Sequence, residues 1–121
     1  MRIAVKGRNA TVTPALQEHV EKRFRAVARQ VSELAQLEVE LSEEHHRAVT
    51  DRQIAEATLF LKGITLRARG ASSDMTHSIN SCEEQLAKQV KRHRERRRKR
   101  RETRAAHAAA EAAAGDAATA P

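Results

Sequence analysis

The sequence predicts an α+β domain of order β-α-β-β-β-α, a four-stranded mixed sheet with two helices packed on one face. Three observations carry this. Four short segments alternate apolar and polar residues, around Ile3, Val39, Ala57 and Leu66. Two longer segments repeat apolar residues every three or four positions, as helices with one buried face do. The chain has 121 residues, yet its last apolar residue larger than alanine is Val90. One modest core must therefore form within about the first 90 residues.

The elements follow in order. Arg2–Lys6 alternates, with Ile3 and Val5 on one face, and reads as a strand. Gly7-Arg8-Asn9 reads as a turn. Thr13-Pro14 opens a helix, since Thr caps well and Pro suits the first helical position. Leu16, Val20, Phe24, Val27 and Val31 form its apolar stripe, with Lys22, Arg25 and Arg29 on the other face. Leu37, Val39 and Leu41 alternate with Glu38, Glu40 and Ser42 as a second strand. Residues 43–52 read as a polar loop. Ala55–Leu61 and Ile64–Arg69 read as strands three and four, joined by a tight turn at Lys62-Gly63. Ser72-Ser73-Asp74 starts the second helix, whose stripe is Met75, Ile79, Cys82, Leu86 and Val90.

The first helix is a crossover, so strands one and two should be parallel. The short later connections make the rest an antiparallel meander. The outer sheet face carries Arg2, Lys6, Glu38, Glu40, Glu56, Arg67 and Arg69, basic at the ends and acidic in the middle. That pattern predicts a solvated face of cross-strand charge pairs. It has no aromatic platform for stacking unpaired bases.

Composition excludes several classes. No apolar run approaches the ~20 residues of a membrane span, and residues 1–20 lack a signal-peptide core. Cys82 is the single cysteine, which excludes an internal disulfide and a cysteine-rich zinc site. On its helical stripe it reads as a small core residue. Glu43-Glu44-His45-His46 reads as polar loop rather than metal site, because adjacent strand residues point to opposite faces. His77 has no nucleophile in an interpretable motif, and there is no phosphate-cradling glycine loop or paired-carboxylate signature. These residues predict no enzyme, no cofactor, no metal and no small-molecule substrate. They fit a cytoplasmic protein that is monomeric when unbound.

The charge is concentrated. Residues 1–87 hold 12 Lys/Arg and 12 Asp/Glu. Residues 88–104 hold 11 Lys/Arg against Glu95 and Glu102. Residues 105–121 hold only Glu111 and Asp116, and 11 of those 17 residues are Ala. The net +7 thus arises from one tract beside a neutral domain. Such a tract seeks phosphate, because each neutralised phosphate releases condensed counterions. Arg outnumbers Lys in it by 8 to 3, and the planar guanidinium suits bidentate phosphate contact. Arg97 falls on the stripe of Met75 to Val90, so the second helix should leave the domain between Val90 and Arg97. Three regions result: a domain at 1–94, a basic helical extension at 95–104, and an Ala-rich mobile tail at 105–121. Repulsion within the tract should leave it mobile from about Arg96 until RNA relieves it. Gly115 is a candidate helix stop.

The ordered pieces Gly7-Arg8-Asn9, Val12-Thr13-Pro14-Ala15-Leu16, Ala55-Glu56-Ala57-Thr58-Leu59, Lys62-Gly63, Asp74-Met75 with Ile79, and Leu86 through Arg94 carry a resemblance. Over about residues 1–94 the chain resembles the ribosome hibernation promoting factor and ribosome-associated translation inhibitor family, also called sigma-factor modulation proteins. The resemblance implies a fold similar to double-stranded RNA-binding domains. It implies binding in the messenger and transfer RNA channel of the small ribosomal subunit, and inhibition of translation that stabilises inactive ribosomes under stress. The implied partners are that subunit and its ribosomal RNA. Matching residues place RNA contacts at Lys88, Lys91, Arg92 and Arg94, with Lys22, Arg25 and Arg8 beside them. The tract adds Arg96, Arg97 and Arg98. Thr76 and Asn80 stand where the family usually has Tyr and Asp. Long members carry a second domain that pairs ribosomes, which these 121 residues do not match; pairing by this chain alone is not expected.

Two other classes use the same residues. A DNA-binding or other RNA-binding protein could employ the arginine tract, although Ala105–Ala114 offers no zipper heptads. A protein-interaction module regulating a transcription factor would employ the neutral domain.

Overall fold

The computed structural model describes residues 1–119, with side chains through residue 113. Its elements run β1 (Arg2–Arg8), α1 (Pro14–Ala28), β2 (Gln36–Glu43), β3 (Gln53–Leu61), β4 (Ile64–Ser72) and α2 (Met75–Thr119). The sheet order is β1-β2-β3-β4. β1 pairs with β2 in parallel, and β2–β3 and β3–β4 are antiparallel. This is the α+β order that the periodicity predicts. The chain divides into two compact units, Met1–Val90 and a second unit that begins at Lys91.

Local chemistry sets the elements. Thr13 is extended, and its Oγ1 accepts a hydrogen bond from the Leu16 amide at 3.2 Å, with Pro14 at the first helical turn. Alternation buries Leu37, Val39 and Leu41 of β2 and Ala55, Ala57 and Leu59 of β3. They join Val20, Phe24 and Val27 of α1 and Ile79, Cys82, Leu86 and Val90 of α2 in one apolar cluster. Both helices therefore cover the same sheet face. At Gly70 the backbones of β4 and α2 approach closely: a Cβ there would lie 2.2 Å from the Ser78 carbonyl oxygen.

Several boundaries differ from the periodicity. β1 continues through Arg8, and the chain reverses after it with Asn9 at φ 56°, a left-handed conformation that asparagine tolerates. α1 ends at Ala28, so Val31 reaches the core from the following loop rather than from the helix. The polar loop holds a 3₁₀ turn at Val49–Asp51. It packs against β4. β4's Ala71 pairs with the buried Ile54. α2 does not stop at Gly115 but continues to Thr119. A single glycine among alanines costs about 1 kcal/mol of helix propensity, and extending an existing helix avoids a new nucleus. The same reasoning accounts for helix through the basic tract. Residues 120 and 121 of the segment expected to be mobile lie outside the described residues. No helix among the described residues is long and apolar enough to cross a membrane.

Candidate nucleic-acid interface

The outer sheet face is a set of charge pairs. Lys6 lies 3.7 Å from Glu40, its register partner across β1–β2. Arg69 lies 3.8 Å from Glu56, its partner across β3–β4. Cross-strand pairing thus takes up Lys6 and Arg69, as the sequence predicts, while Arg2 and Arg67 are exposed and make no ion pair among the described residues.

The ten candidate RNA contacts fall into three groups. Arg8 ends β1, 3.3 Å from Glu40 and 3.7 Å from Glu44. It closes one side of an open recess whose other wall is the segment Glu43–His46. Arg47 also binds Glu44 and holds its carboxyl below the usual range. Arg8 therefore spends its charge on two carboxylates. His45 and His46 lie 3.7 Å from Glu43 and Glu44 respectively. No three ligands that could hold a metal ion come together among the described residues.

Lys22 and Arg25 are exposed on α1. Lys22 is 2.9 Å from Glu18, one turn away. Arg25 has no ion pair among the described residues. Arg29, one turn further, is exposed too. Sequence reasoning did not count it as a contact, although its spacing of four from Arg25 puts it on the same helical face.

The remaining candidates lie on α2. Lys88 is exposed within the first unit. Beside it Gln89 is turned inward, donating a hydrogen bond to the Arg67 carbonyl at 2.5 Å. In the second unit Lys91, Arg92, Arg94, Arg96, Arg97 and Arg98 are all exposed. Arg98 lies 3.8 Å from Glu102, one turn on. His93 among them is half-buried, and burial first, then Arg97, Arg100 and Arg96, lowers its pKa. Lys99, Arg100, Arg101 and Arg104, which belong to the charge run but not to the ten candidates, are equally exposed.

Cys82 is buried, and its Sγ donates to the Ala68 carbonyl at 3.6 Å. Burial pushes its thiol up to about 12, which makes it a packing residue and no nucleophile.

Comparison with known proteins bears on the family and the fold. Residues 3–98 match the family described as Sigma 54 modulation protein / S30EA ribosomal protein. A ribosome hibernation promoting factor from Acinetobacter guillouiae is 29% identical over 99 residues, covering 78% of this chain and 88% of its own. The one from Salmonella typhimurium is 31% identical over 94 residues, covering 78% and 94%. The N-terminal domain of Thermus thermophilus Protein Y superposes with a TM-score of 0.65 at 28% identity, over 76% of this chain and 98% of that one. A ribosomal subunit interface protein from Coxiella burnetii shares the fold, with a TM-score of 0.65 at 22% identity, over 78% and 98%. The fold is that of the Protein Y N-terminal domain, and the chain belongs to the ribosome hibernation promoting factor / S30AE family.

Proposed function

We propose that this protein binds the small ribosomal subunit in the messenger and transfer RNA channel and inhibits translation by occupying it, keeping inactive ribosomes intact under stress. The observation that carries this reading is the contrast between a charge-balanced α+β domain of the hibernation-factor family and a basic second helix with exposed cations. The domain supplies shape, and the helix supplies phosphate contacts. Lys88, Lys91, Arg92 and Arg94 are the primary contacts, and Arg25 is the α1 residue with charge to spare. Arg8 and Lys22 act only if RNA displaces their carboxylate partners. The functional division is a binding domain at 1–94, a basic extension at 95–104 and an Ala-rich segment from 105. Inhibition is reversible and stoichiometric, because a site is filled and no bond is made.

Sedimentation with ribosomes and separated subunits through a sucrose gradient tests this. The protein should travel with the small subunit and with whole ribosomes, and excess messenger and initiator transfer RNA should release it. Migration at the top of the gradient, with retention on duplex DNA or a transcription factor instead, would favour the other classes.

A further inference from the structure

The helix of the second unit has two unlike faces. At 3.6 residues per turn, Lys91, Glu95, Arg98 and Glu102 share one side. There the charges alternate, and Arg98 is 3.8 Å from Glu102. Arg96, Arg97, Arg100, Arg101 and Arg104 share the other, spread over about 140° of the circumference and about 12 Å of axis. All five are exposed. None has an acidic residue three or four positions away, and none makes an ion pair among the described residues. Every cation on this side is arginine, and both lysines of the second unit, Lys91 and Lys99, fall outside it.

We infer that the stripe of Arg96, Arg97, Arg100, Arg101 and Arg104 is a second RNA-binding surface, one that grips the phosphate backbone without reading sequence. Three of its five residues, Arg100, Arg101 and Arg104, lie beyond the stretch matched by the family, which ends at residue 98. The stripe therefore begins at the end of the family match and runs beyond it. Arginine presents a planar fork that meets phosphate in a bidentate way, whereas lysine offers a point charge. The tract has no aromatic residue to stack a base, so the contact is to backbone. An anionic membrane is the poorer fit. A helix that lies in a bilayer surface needs a large apolar face, and from 91 onward the apolar residues are alanines only. The alanines that follow the tract are strong helix formers and keep its last turns wound. The small subunit as the source of the RNA rests on the reading above; the phosphate chemistry does not.

The test uses the full chain. One variant changes the five arginines to Gln, which keeps helix propensity. A charge-matched control changes Arg2, Lys6, Lys62, Arg67 and Arg69 to Gln, all exposed or half-buried and outside the proposed interface. Binding to a labelled RNA hairpin of arbitrary sequence is measured across salt concentrations, with phosphatidylglycerol vesicles as a second probe. The stripe variant should flatten the log-affinity against log-salt slope by about three to four units, and the control should flatten it by less than about one. Neither protein should hold vesicles at physiological salt. Equal flattening in both variants, an unchanged slope in the stripe variant, or vesicle binding stronger than hairpin binding would overturn the inference. If no form of the chain sediments with ribosomes but hairpin binding still depends on the stripe, the inference stands and the ribosomal reading falls.

Discussion

Arg23 on α1 lies with Nε 3.2 Å from Oε2 of Glu83 on α2, and its Nη2 is 3.2 Å from Oε1 of Glu84. Together with the 2.7 Å hydrogen bond between His19 and Asn80, this ties the two helices along their solvent edge. The tie is imperfect. Arg23 Nε is buried without a well-aligned hydrogen-bond acceptor, and burial raises the Glu83 pKa against the pull of Arg23. Because the folded state holds this proton more tightly than the unfolded chain, Glu83 favours folding below its ordinary value near 4.5 and loses that contribution as pH rises through the folded value. Glu83→Gln should therefore gain stability relative to the parent as pH rises from about 4 to 7. Thermal unfolding at several pH values checks this; a gap that is constant or shrinks with pH would show that the pair is net stabilising.

Gly70 is fixed by the approach of two backbones. A Cβ at this position would meet the Ser78 carbonyl oxygen at 2.2 Å and the Cys82 amide nitrogen at 2.7 Å, and neither can step aside without shifting α2. Gly70→Ala should cost about 1–3 kcal/mol or more, read as a lower denaturant midpoint at constant slope. An unchanged midpoint would mean that α2 rides further from β4.

Cys82 should be inert in the folded protein. It is fully buried, and burial pushes its thiol up to about 12. Labelling by a maleimide should require global unfolding and should speed up with denaturant in step with loss of structure. Rapid labelling in native buffer would contradict the packing of α2 against the sheet.

Charge reversal of Lys88, Lys91 and Arg92 to Glu should abolish inhibition without unfolding the domain. All three side chains are exposed. A charge-assisted hydrogen bond to phosphate is worth about 1.5–3 kcal/mol, so removing three together weakens binding by orders of magnitude. Circular dichroism should be unchanged; retained inhibition would move the interface elsewhere.

Much of this fold is legible from local pattern. Thr13-Pro14 announces the start of α1, and the alternation at Leu37, Val39 and Leu41 gives the buried face of β2. What stays hidden depends on residues distant in the chain. Gly70 looks ordinary until α2 is laid on β4. Ile54 is out of phase with Ala55, Ala57 and Leu59, yet it is buried as fully as they are. Val31 keeps its place in the core after its helix has ended. The candidate interface is legible in kind, since the charge tract needs no tertiary knowledge. Its detail is not: Arg8 reads as an available cation until β1–β2 pairing brings Glu40 beside it. Within the tract, the partnership of Arg98 with Glu102 separates it from Arg96 and Arg97, which run length alone could not do.

The central claim is inhibition by occupancy, and a titration of the full chain into a translation reaction with a known ribosome concentration tests it most directly. Inhibition should saturate near one protein per ribosome, reverse when excess initiation components are added, and vanish when the protein is removed. Inhibition at far below one protein per ribosome that persists after removal would mean that the chain alters the ribosome chemically, and the account would be wrong.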